Sequence, residues 1–225
     1  MGANDAATAA PTEHTFAFVD LAGFTALTEA HGDETAVDVV EQFVDSTRAA
    51  VAGRGNLVKT IGDAVMLEFA NPESALLAAR DLLERCAAVT SLPAPRAGLH
   101  HGPALSRGDD WFGATVNLAA RVAGQAFGGQ TLATAPVASA ARQIGVPVID
   151  LGCFQLRNLP DPVELFQVEL IPPPEAVSID PVCRMQVAHA TAAGRLRHAE
   201  TDLWFCSLAC VKTFVADPAR YVQPA

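Results

Sequence analysis

Apolar residues in the first three quarters of the chain alternate over short runs and recur at helical spacing over longer ones. Residues 15–20 predict a strand, which Gly23 ends soon afterwards. From residue 33 to about residue 52, valines recur along one face and predict an amphipathic helix. The chain therefore begins its ordered part with a strand followed by a helix.

Two β-rich runs, residues 56–61 and 64–69, are separated by Gly62-Asp63 and predict a hairpin with a tight turn. Because antiparallel hairpins are mixed with helices, we predict an α+β fold, with helices packed on one sheet, over a doubly wound parallel fold. The remaining predicted elements are helices near 71–88, 115–125 and 136–143 and short strands near 97–101, 130–134, 147–151 and 163–168.

The domain boundaries follow from a run of three prolines at residues 172–174, which favours a stiff extended spacer. We predict a flexible leader at 1–13, a first domain at 14–170, a Pro-rich linker at 171–179 and a small second domain at 180–225. No internal repeat is visible.

Composition excludes several classes of protein. Half of the 225 residues are hydrophobic and 18% are charged, which excludes wholesale disorder. With 15 basic and 25 acidic residues, the net charge of −10 argues against binding to nucleic acid or anionic lipid. No segment reads as a membrane span and the start does not resemble a secretory signal, so we expect a cytoplasmic protein with reduced thiols.

Several polar residues lie where a core would not favour them. Each alone has an ordinary structural explanation, such as a turn residue or a solvated arginine. Together they form three short segments of possible chemistry, containing Asp20, Lys59 with Asp63, and Asp110 with Asn117 and Arg121.

These segments closely resemble the class III nucleotide cyclase homology domain. The matching motifs are FVDLAGFT at 18–25, KTIGD at 59–63 and DWFGATVNLAAR at 110–121, and GCFQLRNLPDPV at 152–163 resembles its closing strands. The resemblance covers nearly all of residues 14–170. It implies a ferredoxin-like βαββαβ core and a homodimer with two active sites between the protomers.

The resemblance also implies residue roles. Asp20 and Asp63 match the carboxylates that hold two Mg²⁺ or Mn²⁺ ions, which can stabilise both the attacking and the leaving oxygen of a phosphoryl transfer. Asn117 matches the residue that positions the ribose, and Arg121 matches the arginine that stabilises charge on the transferring phosphoryl group.

The matched base-reading pair is Lys59 and Asp110. A lysine donates to the unprotonated N1 of adenine and a carboxylate accepts from its exocyclic amine, so we predict ATP as substrate. Lys59 could also donate to guanine O6 and Asp110 could accept from guanine N1, so guanine is disfavoured by geometry only. Arg157 lies where the family often has a basic residue facing the triphosphate, in a loose alignment.

A second resemblance covers residues 180–222, where DPVCRM at 180–185 and WFCSLAC at 204–210 are similar to the YHS domain, a cysteine module of metal-handling proteins. It suggests Cys183, Cys206 and Cys210 as soft ligands with His198 as a fourth, suited to Zn²⁺, or to Cu⁺ if thiolates act alone. The structural alternative is that the cysteines are small buried residues and His198 is merely exposed.

The combined hypothesis is an adenylate cyclase that makes cyclic AMP and pyrophosphate, regulated by metal or redox state at its C-terminal module. Two alternatives stay open: a non-catalytic protein that senses nucleotide and binds metal, and a guanylate cyclase.

Overall fold

A mixed sheet built around one long strand forms the centre of the fold. The computed structural model describes residues 11–89, 92–172 and 176–221. The strands are β1 (Thr12–Leu21), β2 (Asn56–Ile61), β3 (Ala64–Phe69), β4 (Pro95–Arg107), β5 (Asp110–Phe112), β6 (Thr131–Ala133), β7 (Val148–Phe154), β8 (Val163–Val168), β9 (Val177–Ile179), β10 (Gln186–Ala188), β11 (Gly194–His198) and β12 (Thr201–Phe205).

Helices connect and cover these strands. They are α1 (Phe24–Val51), α2 (Pro72–Ala87), α3 (Ala114–Ala123), α4 (Ala135–Gln143) and α5 (Leu208–Ala216). The start of α2 is set locally, because the side chain of Asn71 accepts a hydrogen bond from Ser74 N at 2.9 Å and proline occupies the first turn.

The main sheet has eight strands, ordered β2-β3-β1-β4-β6-β8-β7, with β5 paired to β4. β4 and β6 run parallel, whereas the other neighbouring pairs of this sheet are antiparallel. This arrangement confirms the predicted α+β class. The predicted hairpin 56–61 and 64–69 is also confirmed.

Helices cover both faces of the sheet. Ala17 and Val19 of β1 belong to a core cluster with α1, α2 and α4. Phe16 of β1 and Met66 of β3 belong to a second cluster with Val116 of α3. Since side chains alternate along a strand, α3 packs on the face opposite to α1 and α2.

The close approach of α3 to β4 depends on a glycine. A Cβ at Gly98 would overlap the backbone of Ala123 in α3. Only a residue without a side chain lets the helix backbone lie directly on this strand.

Helix α1 begins earlier than the sequence predicted. It starts at Phe24 and is interrupted at Gly32, whose φ of 83° and ψ of 171° are not helical. The periodic valines after residue 33 therefore reported only its second part. Glycine adopts this backbone conformation without a steric penalty. The first part of α1, residues 24–31, precedes the interruption at Gly32.

Residues 176–221, here named the C-terminal unit, pack onto the first domain. Val182, Phe205 and Phe214 share a core cluster with Leu27 of α1. Gln186 N also donates to Leu92 O at 3.2 Å. The unit therefore shares hydrophobic core with the first helix.

Two strands lie close to the predicted domain boundaries. β1 begins at Thr12, within the predicted leader 1–13, and β9 lies within the predicted linker 171–179. Residues 1–10 of the leader, 173–175 of the linker and 222–225 of the second domain lie outside the described residues. Among the described helices, none is both long and apolar enough to cross a membrane.

We expect Gly98→Ala to lower the free energy of unfolding by about 2–3 kcal/mol, because the new methyl group must push α3 away from β4. The matched control is Gly124→Ala at the end of α3, where a Cβ would have its nearest neighbour at 3.4 Å. Urea unfolding of both variants tests this. Equal stability of the two would contradict the role of Gly98.

Candidate active site

The register of β1 brings two carboxylates together. Asp20 lies opposite Ala64 of β3 on one side and Arg96 of β4 on the other. Asp63 directly precedes Ala64, in the turn between β2 and β3. The sequence predicts both residues as ligands of one metal site, and the negative charge of Asp20 contributes to a raised pKa of Asp63.

Arg96 supplies the positive charge at this site. Its Nε donates to Asp20 Oδ1 at 2.5 Å and its Nη2 donates to Asp20 Oδ2 at 2.9 Å, a bidentate pair. The hydrogen bond to Asp20 raises the pKa of Arg96 above its ordinary value. Sequence reasoning missed this residue, although a charged side chain in the otherwise apolar start of β4 was a visible signal.

The environment of Asp63 differs from that of an exposed acid. Burial raises the pKa of Asp63 first, and the negative charge of Asp20 raises it further, against the lowering effects of its backbone hydrogen bond and Arg96. Two carboxylates that repel each other, of which Asp20 is paired with Arg96, form a donor set that fits a hard divalent cation such as Mg²⁺ or Mn²⁺.

A second charged group joins β2 to β5. Lys59 Nζ lies 2.5 Å from Asp110 Oδ2, and Trp111 N donates to Asp110 Oδ1 at 2.8 Å. The hydrogen bond from Lys59 is the largest cause that lowers the pKa of Asp110, followed by the one from Trp111 N. The pair therefore presents a cationic donor beside an anionic acceptor on a half-exposed surface.

The third group lies on α3. Asn117 is exposed near the start of the helix, and Arg121 lies one turn later. Arg121 Nη1 donates to the backbone carbonyl of Arg157, so the loop after β7 is held to the end of α3. The side chain of Arg157 is exposed.

No hydrogen bond or ion pair among the described residues links these three groups to one another. Within one chain, the structure therefore brings together Asp20 with Asp63, Lys59 with Asp110, and Arg121 with the loop of Arg157.

The C-terminal cysteines form a separate cluster with an unexpected partner. Cys183, Cys206 and Cys210 lie with His31 of α1, and the ligand atoms of all four are within 4.8 Å of one another. The predicted fourth ligand, His198, instead packs edge-on against Phe214, with ring centroids 5.6 Å apart. The cluster therefore contains His31 and not His198. The expectation for His198 rested on the resemblance to the YHS domain, in which a histidine often precedes the Phe-Cys, whereas His31 reaches the cysteines from α1.

Comparison with known proteins identifies the first domain. Residues 9–169 match the family model described as adenylate and guanylate cyclase catalytic domain. A protein of Mycobacterium tuberculosis without a described activity is 38% identical over 152 residues, which are 67% of this chain and 40% of that protein.

Two further similarities carry functional names. A pH-sensitive adenylate cyclase of Mycobacterium tuberculosis is 36% identical over 160 residues, covering 68% of this chain and 40% of that protein. A structure of an adenylate cyclase from Trypanosoma brucei in its monomeric state aligns with a TM-score of 0.63 and 26% identity, covering 71% of this chain and 90% of the other. The match to the curated relatives spans about two fifths of their length.

We expect Lys59→Met to raise the pKa of Asp110 toward the ordinary aspartate value of about 3.9, because it removes the largest cause of the lowered pKa. A carboxyl whose pKa is lower in the folded state stabilises the folded protein at pH values above its unfolded-state pKa. This contribution to stability is lost as the pH falls through the folded-state pKa. Carboxyl carbon NMR during an acid titration measures the shift. Lys212→Met, at an exposed position on α5, is the matched control and should leave Asp110 unchanged.

Proposed function

The chain belongs to the adenylate and guanylate cyclase catalytic domain family, and we propose that it is an adenylate cyclase that converts ATP to 3′,5′-cyclic AMP and pyrophosphate. The observation that carries the choice of ATP is the pairing of Lys59 with Asp110 at 2.5 Å. A cationic donor beside a carboxylate acceptor complements the N1 and the exocyclic amine of adenine. The adenylate cyclase named among the relatives supports the same choice.

In the proposed reaction, the ribose 3′ oxygen forms a bond to the α-phosphorus. The bond between the α-phosphorus and the oxygen that bridges to the β-phosphate breaks, pyrophosphate leaves with that oxygen, and the 3′ hydroxyl gives its proton to water. Asp20 and Asp63 would hold two Mg²⁺ or Mn²⁺ ions. These ions would supply charge stabilisation at the attacking and leaving oxygens.

Arg96 adds a protein cation to this arrangement. In the structure its guanidinium is bound to Asp20, where it offsets the charge of the two carboxylates. The planar guanidinium would also suit pairing with an oxygen of the triphosphate when nucleotide is bound. Arg96 is then a substrate-binding residue in the proposal, in addition to Arg157.

Asn117 and Arg121 act on the sugar and on the reacting phosphate. Asn117 is exposed and carries both a donor and an acceptor, which suits positioning of the ribose. Arg121 keeps its charge at any physiological pH, and so it can stabilise negative charge that develops on the transferring phosphoryl group.

We infer that the active enzyme is a homodimer with its sites between protomers. The support is that the carboxylates, the base-reading pair and the α3 residues form three unlinked groups within one chain. A two-fold symmetric dimer would bring the carboxylates of one protomer to the other two groups of its partner.

We further infer that the C-terminal unit, which resembles a YHS domain, regulates the reaction through metal or redox state. All five cysteines are free, including the three in the cluster. A cytoplasmic location, with reducing conditions, would keep these thiols available for a metal.

We expect the purified chain with Mg²⁺ or Mn²⁺ to make cyclic AMP from ATP in preference to cyclic GMP from GTP. Asp63→Ala should lower the rate at least about 100-fold, because it removes a carboxylate that holds the cations. The matched control is Asp45→Ala, which removes a well-exposed aspartate on α1. Separation of the products by chromatography provides the measurement.

The alternatives predict different results. Cyclic GMP as the main product would make the protein a guanylate cyclase. Nucleotide binding without any turnover, by a dimer, would favour the nucleotide-sensing alternative and contradict the proposed activity.

The dimeric site predicts complementation between inactive variants. Co-expressed Asp63→Ala and Asn117→Ala chains should recover about a quarter of wild-type activity, because half of the randomly assembled dimers are mixed and each contains one intact site. Asp20→Ala mixed with Asp63→Ala should recover none. Each site takes both of its carboxylates from one chain, and every chain in this mixture lacks one of the two. Recovery in both mixtures, or in neither, would contradict shared sites.

A further inference from the structure

We propose that His31, Cys183, Cys206 and Cys210 form a tetrahedral Zn²⁺ site that ties the C-terminal unit to the first helix of the catalytic domain. The site differs from one contained within the C-terminal unit, because one of its four ligands belongs to α1. The metal site stands on its own geometry, whereas its effect on catalysis rests on the proposed function.

Four of the six separations between the ligand atoms lie near those of a tetrahedral zinc centre, and all six are within 4.8 Å. Cys206 Sγ lies 3.4 Å from Cys183 Sγ and 3.7 Å from Cys210 Sγ. His31 Nε2 lies 3.6 Å from Cys206 Sγ and 3.8 Å from Cys210 Sγ. A tetrahedral centre with Zn–S bonds of about 2.3 Å and Zn–N bonds of about 2.05 Å needs separations of about 3.8 Å and about 3.6 Å.

The cysteine loops are held in place by a buried carboxylate. Asp180 is fully buried. Its Oδ1 accepts from Val182 N at 2.8 Å and its Oδ2 accepts from Cys206 N at 2.8 Å. Cys210 is fixed by the cap of α5, where its N donates to Ser207 Oγ at 3.1 Å. A site whose ligands are positioned by such outer contacts is preorganised for a metal.

The site is also open to an incoming ion. Because cysteine binds a metal as the thiolate, metal binding would displace the thiol protons. A surface cavity of about 240 Å³, lined by His31, Cys206 and Met185 among others, provides a path for the ion.

A contact leads from this site to the turn that follows Asp20. Arg184 follows Cys183 and packs tightly on Gly23. A Cβ added to Gly23 would overlap the Cβ and Cγ of Arg184. Gly23 lies three residues after Asp20, at the start of α1. Arg184 has a φ of 65°, a left-handed conformation that is costly for a side chain and persists only where its surroundings fix it.

The first experiment measures metal binding by the full chain. The apo protein, prepared with chelator and reductant, is titrated with Co²⁺ and then with Zn²⁺. We expect one ion per chain and the thiolate-to-cobalt and visible bands of tetrahedral Co²⁺. His31→Ala should weaken Zn²⁺ binding more than about 100-fold, since loss of a ligand exceeds the usual loss of an outer contact.

Two variants guard the interpretation. His198→Ala, the matched control in the C-terminal unit, should bind Zn²⁺ like the wild type. His31→Cys should restore tight binding with the cobalt spectrum of four thiolates, which shows that a loss in His31→Ala is not a loss of folding. The proposal fails if the wild type does not bind Zn²⁺, or if binding depends on His198 and not on His31.

A second measurement tests the link between the units without using activity. At a Zn²⁺ concentration about 100 times the dissociation constant, amide hydrogen exchange in residues 20–31 should slow by up to about 100-fold. This limit applies where exchange requires the C-terminal unit to separate from α1. Arg184→Gly keeps the left-handed turn but loses the packing on Gly23. We expect this variant to retain zinc affinity and to lose much of the protection at residues 20–24. Unchanged exchange in the zinc-bound wild type would overturn the proposed link, whatever the cyclase activity.

Discussion

The register of β1 between β3 and β4 is the constraint on which the candidate active site depends. It sets Asp20 between Ala64 and Arg96, so that the turn residue Asp63 and a guanidinium both lie beside the same carboxylate. A slip by one residue would turn Asp20 into the face packed by α1 and α2 and would expose Val19 in its place. The hydrophobic alternation of β1 therefore fixes the position of Asp20 as firmly as it fixes the core.

Much of this arrangement could be predicted from the sequence, because its signals are local. The hairpin 56–61 and 64–69 and the proline start of α2 were read within a few residues of their bounds. The position of Arg96 beside Asp20 and the meeting of His31 with the cysteines could not be predicted in this way. Both arise from strands or helices that are distant in sequence, and His31 lies in the part of α1 that Gly32 separates from the regular pattern.

The C-terminal unit illustrates how a small segment gains a fixed structure. Its own strands form two-stranded sheets, which are marginal alone. Two features compensate: Phe205 and Phe214 extend the core of the catalytic domain, and the buried Asp180 joins the loops of Cys183 and Cys206. Because this carboxylate would be costly to bury without its three backbone donors, the cysteine loops and the carboxylate hold one another in position.

The two candidate metal sites have different donor atoms and thus need not compete for the same ion. Carboxylate oxygens suit Mg²⁺ or Mn²⁺, whereas three sulfurs and an imidazole suit Zn²⁺. The structural link between them is short, since Arg184 beside Cys183 packs on Gly23 close to Asp20. Coupling between two binding sites is reciprocal, so a zinc-dependent change in nucleotide affinity requires an equal nucleotide-dependent change in zinc affinity. Such a zinc site would respond to occupancy of the catalytic site as well as to the supply of metal.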